Sequence, residues 1–192
     1  TKTSVEHSKR QGYKTLVYDL GGLGFGEKFD ARVTAKIGAK IPSKPNIIKQ
    51  AIDNVAENDI VAWIDADALI KNRFDEILDF DFDIGVTVRQ PKAKENSLPI
   101  NAGVVFVRKT KQALDFVDSW VDLCRTGVSD QQELNKLCRV TTKDLGMSVS
   151  RNKTKIHVFP CKIYNNFYFA KNKSDHAKIL HYKSKLRGLF PK

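Results

Sequence analysis

The sequence predicts an α/β domain in which helices flank a central, mixed and mostly parallel sheet. Two runs of consecutive apolar residues, 60–64 and 102–107, have the length and composition of strands that are buried on both faces. Amphipathic helical patterns lie before, between and after these runs, as in a chain whose helices and strands alternate. A chain of 192 residues suits one domain of this class.

The clearest helical pattern covers residues 44–57. Its apolar side chains recur at helical spacing, at Ile47, Ile48, Ala51, Ile52 and Val55. Ser43 is a typical N-cap residue, and Pro45 is well tolerated in the first turn of a helix. The helix should therefore begin at residue 44 and lead directly into the first buried strand, residues 60–64.

Shorter patterns of the same kind predict the other elements. Residues 3–11 should form a helix that ends at Gly12, and residues 15–20 a short strand that leads into a glycine-rich loop. That loop has neither the GKS/T ending of a P-loop nor GxGxxG spacing, so it does not indicate a mononucleotide site. Further helices are expected at residues 73–79, 110–126 and 130–138. Further strands are expected at residues 83–89, 101–107, 156–159 and 178–182.

Composition excludes several classes of protein. Hydrophobic residues make up 41% of the chain and charged residues 29%, which is typical of a globular domain and not of a disordered chain or a disulfide-stapled miniprotein. No run approaches the ~18 apolar residues of a transmembrane segment. The three cysteines form no CxxC pair and are odd in number, which favours core thiols in a reducing compartment. We therefore expect a cytoplasmic protein, in the host cytoplasm if the source is viral.

Positive charge is concentrated at one end of the chain. The formal net charge is +11, yet residues 1–150 are almost neutral, whereas residues 151–192 hold 11 basic residues and one acid, Asp175. This basic segment predicts an anionic ligand: a nucleic acid, an anionic membrane surface or the phosphates of a small molecule. A solvated basic face is the alternative. Aromatic residues interleave with the lysines, as base-stacking platforms or as the buried faces of strands. They are Phe159, Tyr164, Phe167, Tyr168, Phe169 and Tyr182.

The acidic pair Asp65 and Asp67 follows the first buried strand directly. In open α/β sheets, ligands collect beyond the carboxyl ends of the strands. Carboxylates at positions i and i+2 of an extended chain point to the same side and offer hard oxygen ligands to Mg²⁺ or Mn²⁺, which can hold a diphosphate. The same spacing recurs in residues 79–83, where we expect exposed acids at the start of a strand. Asp65 and Asp67 are therefore the predicted metal ligands, with a solvated pair as the alternative.

Three further groups of residues could belong to the same site. Residues 101–103 open the second buried strand, where small residues let a ligand approach the backbone and Asn101 can donate and accept hydrogen bonds. A simple turn is the alternative. Asp130 and Gln131 begin a predicted helix, where the helix dipole alone also favours an acid. His181 would complete a metal site that has two carboxylates, although a lone histidine is more often a surface or core residue.

These motifs, in this order, resemble those of the GT-A nucleotide-sugar glycosyltransferases. The chain is most similar to the retaining glycogenin-like and galactinol-synthase-like families and their bacterial and viral relatives. Several motifs in the same order rarely coincide by chance. The matching segments, between about residue 3 and residue 187, are KPNIIK (44–49), WIDADAL (63–69), INAGV (100–104), Trp120, Asp130-Gln131 and LHYKS (180–184).

The resemblance implies a metal site. Asp65 and Asp67 match the DxD motif of the family, which binds Mn²⁺ (or Mg²⁺) and, through the first Asp, the ribose and sugar side of the donor. His181 matches the late histidine that completes the metal site. Lys44 matches a basic residue near the sugar or the phosphates of the donor.

The resemblance also implies a donor site. The positions that line the donor sugar and the acceptor are Asn101, Ala102, Gly103, Asp130 and Gln131. Asp130 and Asn101 are the catalytic candidates among them. Lys183 and Lys185 lie where, in the family, a closing C-terminal loop contacts the diphosphate. Neutralisation of the diphosphate would explain why this segment is basic.

The same resemblance implies the domain organisation. We expect residues 1–192 to form a single GT-A (Rossmann-like) catalytic domain, with a longer polypeptide left open. The first strand of the family, which holds the nucleotide base, should precede the helix at residues 3–11, and we expect it to be absent or truncated in this sequence. The late motif His-x-x-Gly-x-x-Lys has Ser184 at its glycine position, so Lys185 or Arg187 would replace the lysine.

Together these features predict a metal-dependent glycosyltransferase. It would transfer a hexose-type sugar from a nucleoside diphosphate donor, expected to be UDP, to a hydroxyl group of a glycan or protein-linked acceptor, with retention of the anomeric configuration. For an inverting enzyme, Asp130 would be the general base. We expect no nucleic acid partner, and a monomer or weak oligomer. The rival interpretations are a basic metal-dependent nuclease or nucleic-acid-binding protein and a silent sugar-nucleotide fold that serves as an interaction module.

Overall fold

The computed structural model describes residues 2–15, 43–89, 98–126, 129–167 and 175–182. Its α-helices within these ranges are α1 (Lys2–Arg10), α2 (Lys44–Asp53), α3 (Lys111–Thr126), α4 (Asp130–Cys138) and α5 (Cys161–Tyr164). Its strands are β1 (Ile60–Ile64), β2 (Ala68–Ile70), β3 (Ile84–Val88), β4 (Ile100–Arg108), β5 (Ser148–Arg151), β6 (Thr154–Pro160), β7 (Asn166–Phe167) and β8 (Ile179–His181). Two short 3-10 helices, Asp75–Asp79 and Thr142–Asp144, lie in the connections.

The main sheet has the strand order β1-β4-β3-β6-β5. β4 is antiparallel to β1 and β3, β5 is antiparallel to β6, and β3 runs parallel to β6. The predicted α/β architecture with a mixed sheet is confirmed. Pairing among the described strands is mostly antiparallel, however, and not mostly parallel as expected. The reason is that a continuous apolar run reports burial on both faces and does not report strand direction.

A second, smaller sheet has the strand order β2-β8-β7. β8 is antiparallel to β2, where Ala68 pairs with His181, and it is parallel to β7. These strands contain only two or three residues, too few for a periodic pattern, and the sequence therefore does not predict β2 or β7. The small sheet places His181 beside the acidic turn that follows β1.

Apolar side chains cover both faces of the main sheet. Along β4, Val105 and Val107 belong to one buried cluster, whereas Val104 and Phe106 belong to another. The first cluster includes buried side chains of α2, α3 and α4, among them Trp120. The second is rich in aromatic rings and includes residues of the small sheet. The three amphipathic helices therefore cover one face, and the small sheet covers the other.

Most predicted elements lie where the sequence places them. α4 and β1 have the predicted bounds, α3 differs by one residue at its start, and α1, β3 and β4 differ by one residue at each end. α2 ends at Asp53 instead of residue 57, since the backbone N–H of Asn54 closes its last turn and Asn58 then adopts a positive φ of 68°. The predicted strand at residues 15–20 and the glycine-rich loop lie outside the described residues, apart from Thr15.

Asp83 corrects the expectation of exposed acids in residues 79–83. Its side chain is buried and accepts hydrogen bonds from Thr110 Oγ1 at 2.6 Å and from the Lys155 N–H at 2.7 Å. Asp81 is exposed as expected and pairs with the Lys155 ammonium at 2.6 Å. Asp83 therefore has a structural role, because it ties the start of β3 to α3 and β6.

The described aromatic residues of the basic segment belong mainly to the core. Phe159, Tyr164 and Tyr182 are buried, on β6, on α5 and directly after β8, and so they are not base-stacking platforms. Phe167 is partly buried beside the imidazole of His181. Residues 168 and 169 lie outside the described residues.

The burial of the cysteines and the lengths of the helices agree with the expectations drawn from the composition. Cys138 and Cys161 are buried and Cys124 is half-buried, as expected for core thiols. Burial raises the pKa of the Cys138 thiol. Within the described ranges, every helix is too short or too polar to span a bilayer.

Gly85→Ala should destabilise the fold. A Cβ atom at Gly85 would lie 2.8 Å from Phe159 Cε2 and 3.0 Å from Phe106 Cβ. Overpacking a core costs about 1–3 kcal/mol. We expect urea titration to show a free energy of unfolding reduced by this amount, with an unchanged dependence on urea concentration. An unchanged midpoint would contradict the close contact between β3 and the two rings.

Candidate functional site

Four strand ends meet at one edge of the main sheet. Ile64, at the end of β1, pairs with Val104 near the start of β4. Val88, at the end of β3, pairs with both Ile100 of β4 and Pro160 of β6. Residues that follow or open these strands are therefore neighbours, as at the ligand sites of other open α/β sheets.

β4 departs from regular pairing at this edge. The register moves from Val86–Val105 to Val88–Ile100, so that Thr87 alone lies opposite residues 101–104. Bulges of this kind re-aim side chains and are common beside active sites. The predicted Asn-Ala-Gly segment lies in this bulge.

Asp65, Asp67 and His181 form a compact group of side chains that can bind a metal ion. One ligand atom of each lies within 4.8 Å of the others. His181 Nε2 is 2.9 Å from Asp67 Oδ1 and 3.9 Å from Asp65 Oδ2. The backbone fixes this group, because the Asp65 N–H donates to Gly103 O at 2.9 Å and the Tyr182 N–H donates to Asp67 O at 2.8 Å. The structure thus brings together the three predicted metal ligands.

His181 is fully buried and is held by Asn165. The Asn165 NH₂ group donates to Thr87 Oγ1 at 2.8 Å and to Asn101 O at 3.2 Å, and its amide oxygen faces His181 Nδ1 at 2.7 Å. An amide oxygen can only accept hydrogen bonds, so Nδ1 carries the proton. In the neutral imidazole, Nε2 then keeps a lone pair that is directed toward Asp67, as a metal-binding imidazole requires.

Gly103 leaves room for this imidazole. A Cβ atom there would lie 2.7 Å from His181 Nδ1 and 3.1 Å from Asp65 Oδ2, and closer still to His181 Cε1. The sequence suggested that a small residue here admits a ligand. In the structure, the imidazole of His181, a predicted metal ligand, occupies the space.

Lys44 connects the metal-ligating group to α4. Its Nζ lies 3.0 Å from Asp65 Oδ1 and 3.1 Å from Asp130 Oδ2, and it donates to Ala102 O at 2.7 Å. Burial by itself lowers the pKa of Lys44, but the carboxylates of Asp65 and Asp130 outweigh this effect and hold the pKa above its ordinary value. Lys44 is therefore charged at neutral pH and keeps the two carboxylates near each other.

The first turn of α4 lines the same edge. Ser129 caps the helix, and Asp130 Oδ1 accepts a hydrogen bond from the Gln131 N–H at 2.8 Å. Gln131 Oε1 accepts from the Ala102 N–H at 3.3 Å. Asp130 thus serves the helix N-terminus with one oxygen and the site, through Lys44, with the other.

The Asn101 side chain lies beneath the site. It is fully buried, and its Oδ1 accepts a hydrogen bond from the Gly103 N–H at 3.2 Å. Its backbone oxygen accepts from Thr87 Oγ1 at 2.9 Å. Asn101 therefore shapes the bulge of β4, and its contact with a donor sugar stays a prediction.

Lys183 and Lys185 lie outside the described residues. The residue before them, Tyr182, is buried and bound through its backbone to Asp67. The basic segment therefore passes directly beside the metal-ligating group, and its contact with a diphosphate stays a prediction.

Sequence reasoning misses several residues that build the site. Trp63 Nε1 donates to Asp65 Oδ1 at 2.8 Å, and Asn135 Oδ1 accepts from a backbone N–H of β4 at 3.0 Å. The sequence could have indicated both residues. Trp63 lies two positions before Asp65 in an extended chain, so the two side chains share a face, and Asn135 lies one helical turn after Gln131 on the same face of α4. No such signal indicates Thr87 and Asn165, because their partners are far away in the sequence.

The sequence profile of a known family, described as nucleotide-diphospho-sugar transferase, matches residues 49–186. The chain belongs to this family. Its activity is therefore that of a glycosyltransferase with a nucleotide-sugar donor. The matched range of the transferase contains the acidic pair, the bulge of β4, the first turn of α4 and His181.

Solved structures of glycosyltransferases are similar to this transferase, and the first of those named here shares its fold. A glycosyltransferase involved in the glycosylation of the major capsid of PBCV-1 matches it with a TM-score of 0.60 and 18% identity, over 97% of this chain and 86% of that one. GlyE of Streptococcus pneumoniae TIGR4 gives a TM-score of 0.47 and 17% identity over 72% and 37% of the two chains. The galactosyltransferase LgtC gives 0.41 and 15% over 76% and 66%. No curated protein sequence matches the chain. The predicted family and fold are confirmed.

Gly103→Ala should weaken metal binding without unfolding the transferase. The added methyl group would displace His181, and the small sheet that carries this residue leaves it little room to retreat. We expect the dissociation constant for Mn²⁺, measured by electron paramagnetic resonance, to rise at least about tenfold, as for other disturbed metal sites. Circular dichroism should be unchanged. An Mn²⁺ affinity equal to that of the wild type would show that the position of His181 does not require a residue without a side chain at position 103.

Proposed function

We propose that this transferase depends on a divalent cation, Mn²⁺ or Mg²⁺, held by Asp65, Asp67 and His181. The observation that carries the proposal is the 2.9 Å separation of His181 Nε2 and Asp67 Oδ1. With the proton of the imidazole on Nδ1, a positive centre has to face both of these atoms, either a second proton on Nε2 or a metal ion. We propose that a metal ion takes this place, since Asp65 brings a second carboxylate to it.

The residues fit such an ion chemically. Two carboxylates are the ligands that Mg²⁺ and Mn²⁺ prefer, and the imidazole favours Mn²⁺ of the two. When bound, the ion would stabilise the negative charge that develops on the leaving diphosphate. Lys44 neutralises charge on Asp65 from the opposite side, and so leaves Asp65 Oδ2 directed toward His181.

We infer that transfer proceeds with retention of the anomeric configuration. The acceptor hydroxyl would bond to the anomeric carbon on the face that the diphosphate leaves, while the bond from that carbon to the phosphate oxygen breaks. The leaving phosphate would take the acceptor proton. Asp130 supports this course, since Lys44 and the Gln131 N–H already engage its two oxygens, which suits a positioning carboxylate better than a general base.

The proposed donor is a UDP-activated hexose, and the proposed acceptor is a hydroxyl group of a glycan or glycoprotein. The family supports a sugar nucleotide, and the neighbour that takes part in capsid glycosylation is consistent with a protein-linked acceptor. The basic segment suits a diphosphate, with Lys183 and Lys185 as donor contacts. We further propose one catalytic domain over residues 1–192, acting in the cytoplasm as a monomer or weak oligomer.

Calorimetric titration of UDP should show binding in the presence of Mn²⁺ that is lost with EDTA. The double variant Asp65→Ala/Asp67→Ala should also lose this binding, because it removes two of the three metal ligands. Asp81→Ala is the matched control, since Asp81 is an exposed acid outside the site, and it should bind UDP like the wild type.

Metal-dependent binding would justify screening UDP-sugars for hydrolysis and transfer. Absence of UDP binding under every condition would contradict the UDP donor and direct the search to GDP and other nucleotides. Retention on DNA or RNA with a steep salt dependence would favour the nucleic-acid interpretation instead.

The anomeric configuration of the product should match that of the donor sugar. Proton NMR of the first product formed from the active UDP-sugar measures this configuration directly. An inverted product would contradict retention and would make Asp130 the general base. Loss of activity in Asp130→Asn would not separate the two mechanisms, because both use this carboxylate.

A further inference from the structure

We infer that Thr87 and Asn165 are positioning residues that keep His181 in its metal-binding tautomer. The inference rests on the proposed metal site and assigns a task to two buried polar side chains that the transfer reaction itself does not use. Thr87 and Asn165 are both fully buried, on β3 and between α5 and β7. Buried polar groups of this kind are costly unless they form hydrogen bonds, so the direction of those bonds is informative.

The hydrogen bonds of Thr87 and Asn165 form a continuous chain in which the donor and the acceptor of each bond can be assigned. Thr87 Oγ1 has a single proton and donates it to Asn101 O at 2.9 Å, with Val104 O as a second, longer acceptor at 3.3 Å. Its oxygen must therefore accept from the neighbouring group, which is the Asn165 NH₂ at 2.8 Å. The backbone of β4 thus determines which way the Thr87 hydroxyl points.

The orientation of Asn165 follows from that of Thr87. With its NH₂ group turned to Thr87 and Asn101 O, the amide presents its oxygen to His181 Nδ1 at 2.7 Å. Nδ1 must then donate, and in the neutral imidazole Nε2 is left with a lone pair. A backbone carbonyl of the main sheet therefore decides, through two side chains, which nitrogen of His181 can bind a metal ion.

The other tautomer would close the site. A proton on Nε2 would be donated to Asp67 Oδ1 at 2.9 Å, and this internal hydrogen bond would occupy a carboxylate oxygen and the imidazole together. A cation would then have to displace that bond. Thr87 and Asn165 disfavour this state, because an Nε2–H tautomer would leave the Asn165 oxygen facing a second lone pair on Nδ1.

The test measures Mn²⁺ affinity by electron paramagnetic resonance in single variants of the whole chain. Thr87→Val keeps the shape of the side chain and removes the hydroxyl, and Asn165→Ala removes the contact with His181. We expect both dissociation constants to rise about 10–100-fold, the usual effect of losing a partner of a metal-ligating histidine. Thr87→Ser restores the hydroxyl and should bind Mn²⁺ nearly as tightly as the wild type.

Thr154→Val is the matched control. It makes the same substitution at a buried threonine of β6, at the end that lies opposite the site, and should leave Mn²⁺ affinity unchanged. Wild-type affinity in both Thr87→Val and Asn165→Ala, or an equal loss in Thr154→Val, would overturn the inference while Asp67→Ala still confirmed the metal site. Absence of Mn²⁺ binding by the wild type would instead overturn the proposed metal dependence, and the inference with it.

Discussion

The contact between the imidazole of His181 and the backbone of Gly103 is the constraint on which the site depends. His181 belongs to the small sheet, whereas Asp65 follows a strand of the main sheet, and the two approach each other only because Gly103 has no side chain. The same glycine accepts the backbone hydrogen bond of Asp65. One residue of β4 therefore sets the distance between metal-ligating groups that come from two different sheets.

The balance of charge explains why these side chains tolerate one another. Asp65, Asp67 and Asp130 gather three carboxylates at a partly buried edge, and Lys44 compensates one of them while it contacts two. Carboxylates this close repel one another and destabilise a fold unless positive charge lies beside them. The proposed divalent cation would add such charge. The lysine and the cation would then have complementary tasks, since each would hold a different oxygen of Asp65.

The sequence was informative where a signal is local and uninformative where it depends on chain direction or on distant partners. The patterns of α4 and β1 were enough to fix their bounds, and the position of Asp65 and Asp67 after a buried strand pointed to the side chains that the structure groups with His181. Strand direction could not be read, because burial looks the same in antiparallel strands. Asn165 could not be found either, since nothing near it in the sequence indicates that it meets His181.

The shortness of the small sheet gives ligand binding a thermodynamic consequence. Strands of two or three residues form few ladder hydrogen bonds, so side-chain packing and contacts at the site supply much of the order of this sheet. His181 nevertheless must stay in place for the site to exist. A ligand that joins Asp67, at the start of this sheet, to His181, at its centre, binds the ordered sheet and not the opened one, and so stabilises it by mass action. Order in the small sheet and ligand binding at the site are therefore thermodynamically linked, so that each favours the other.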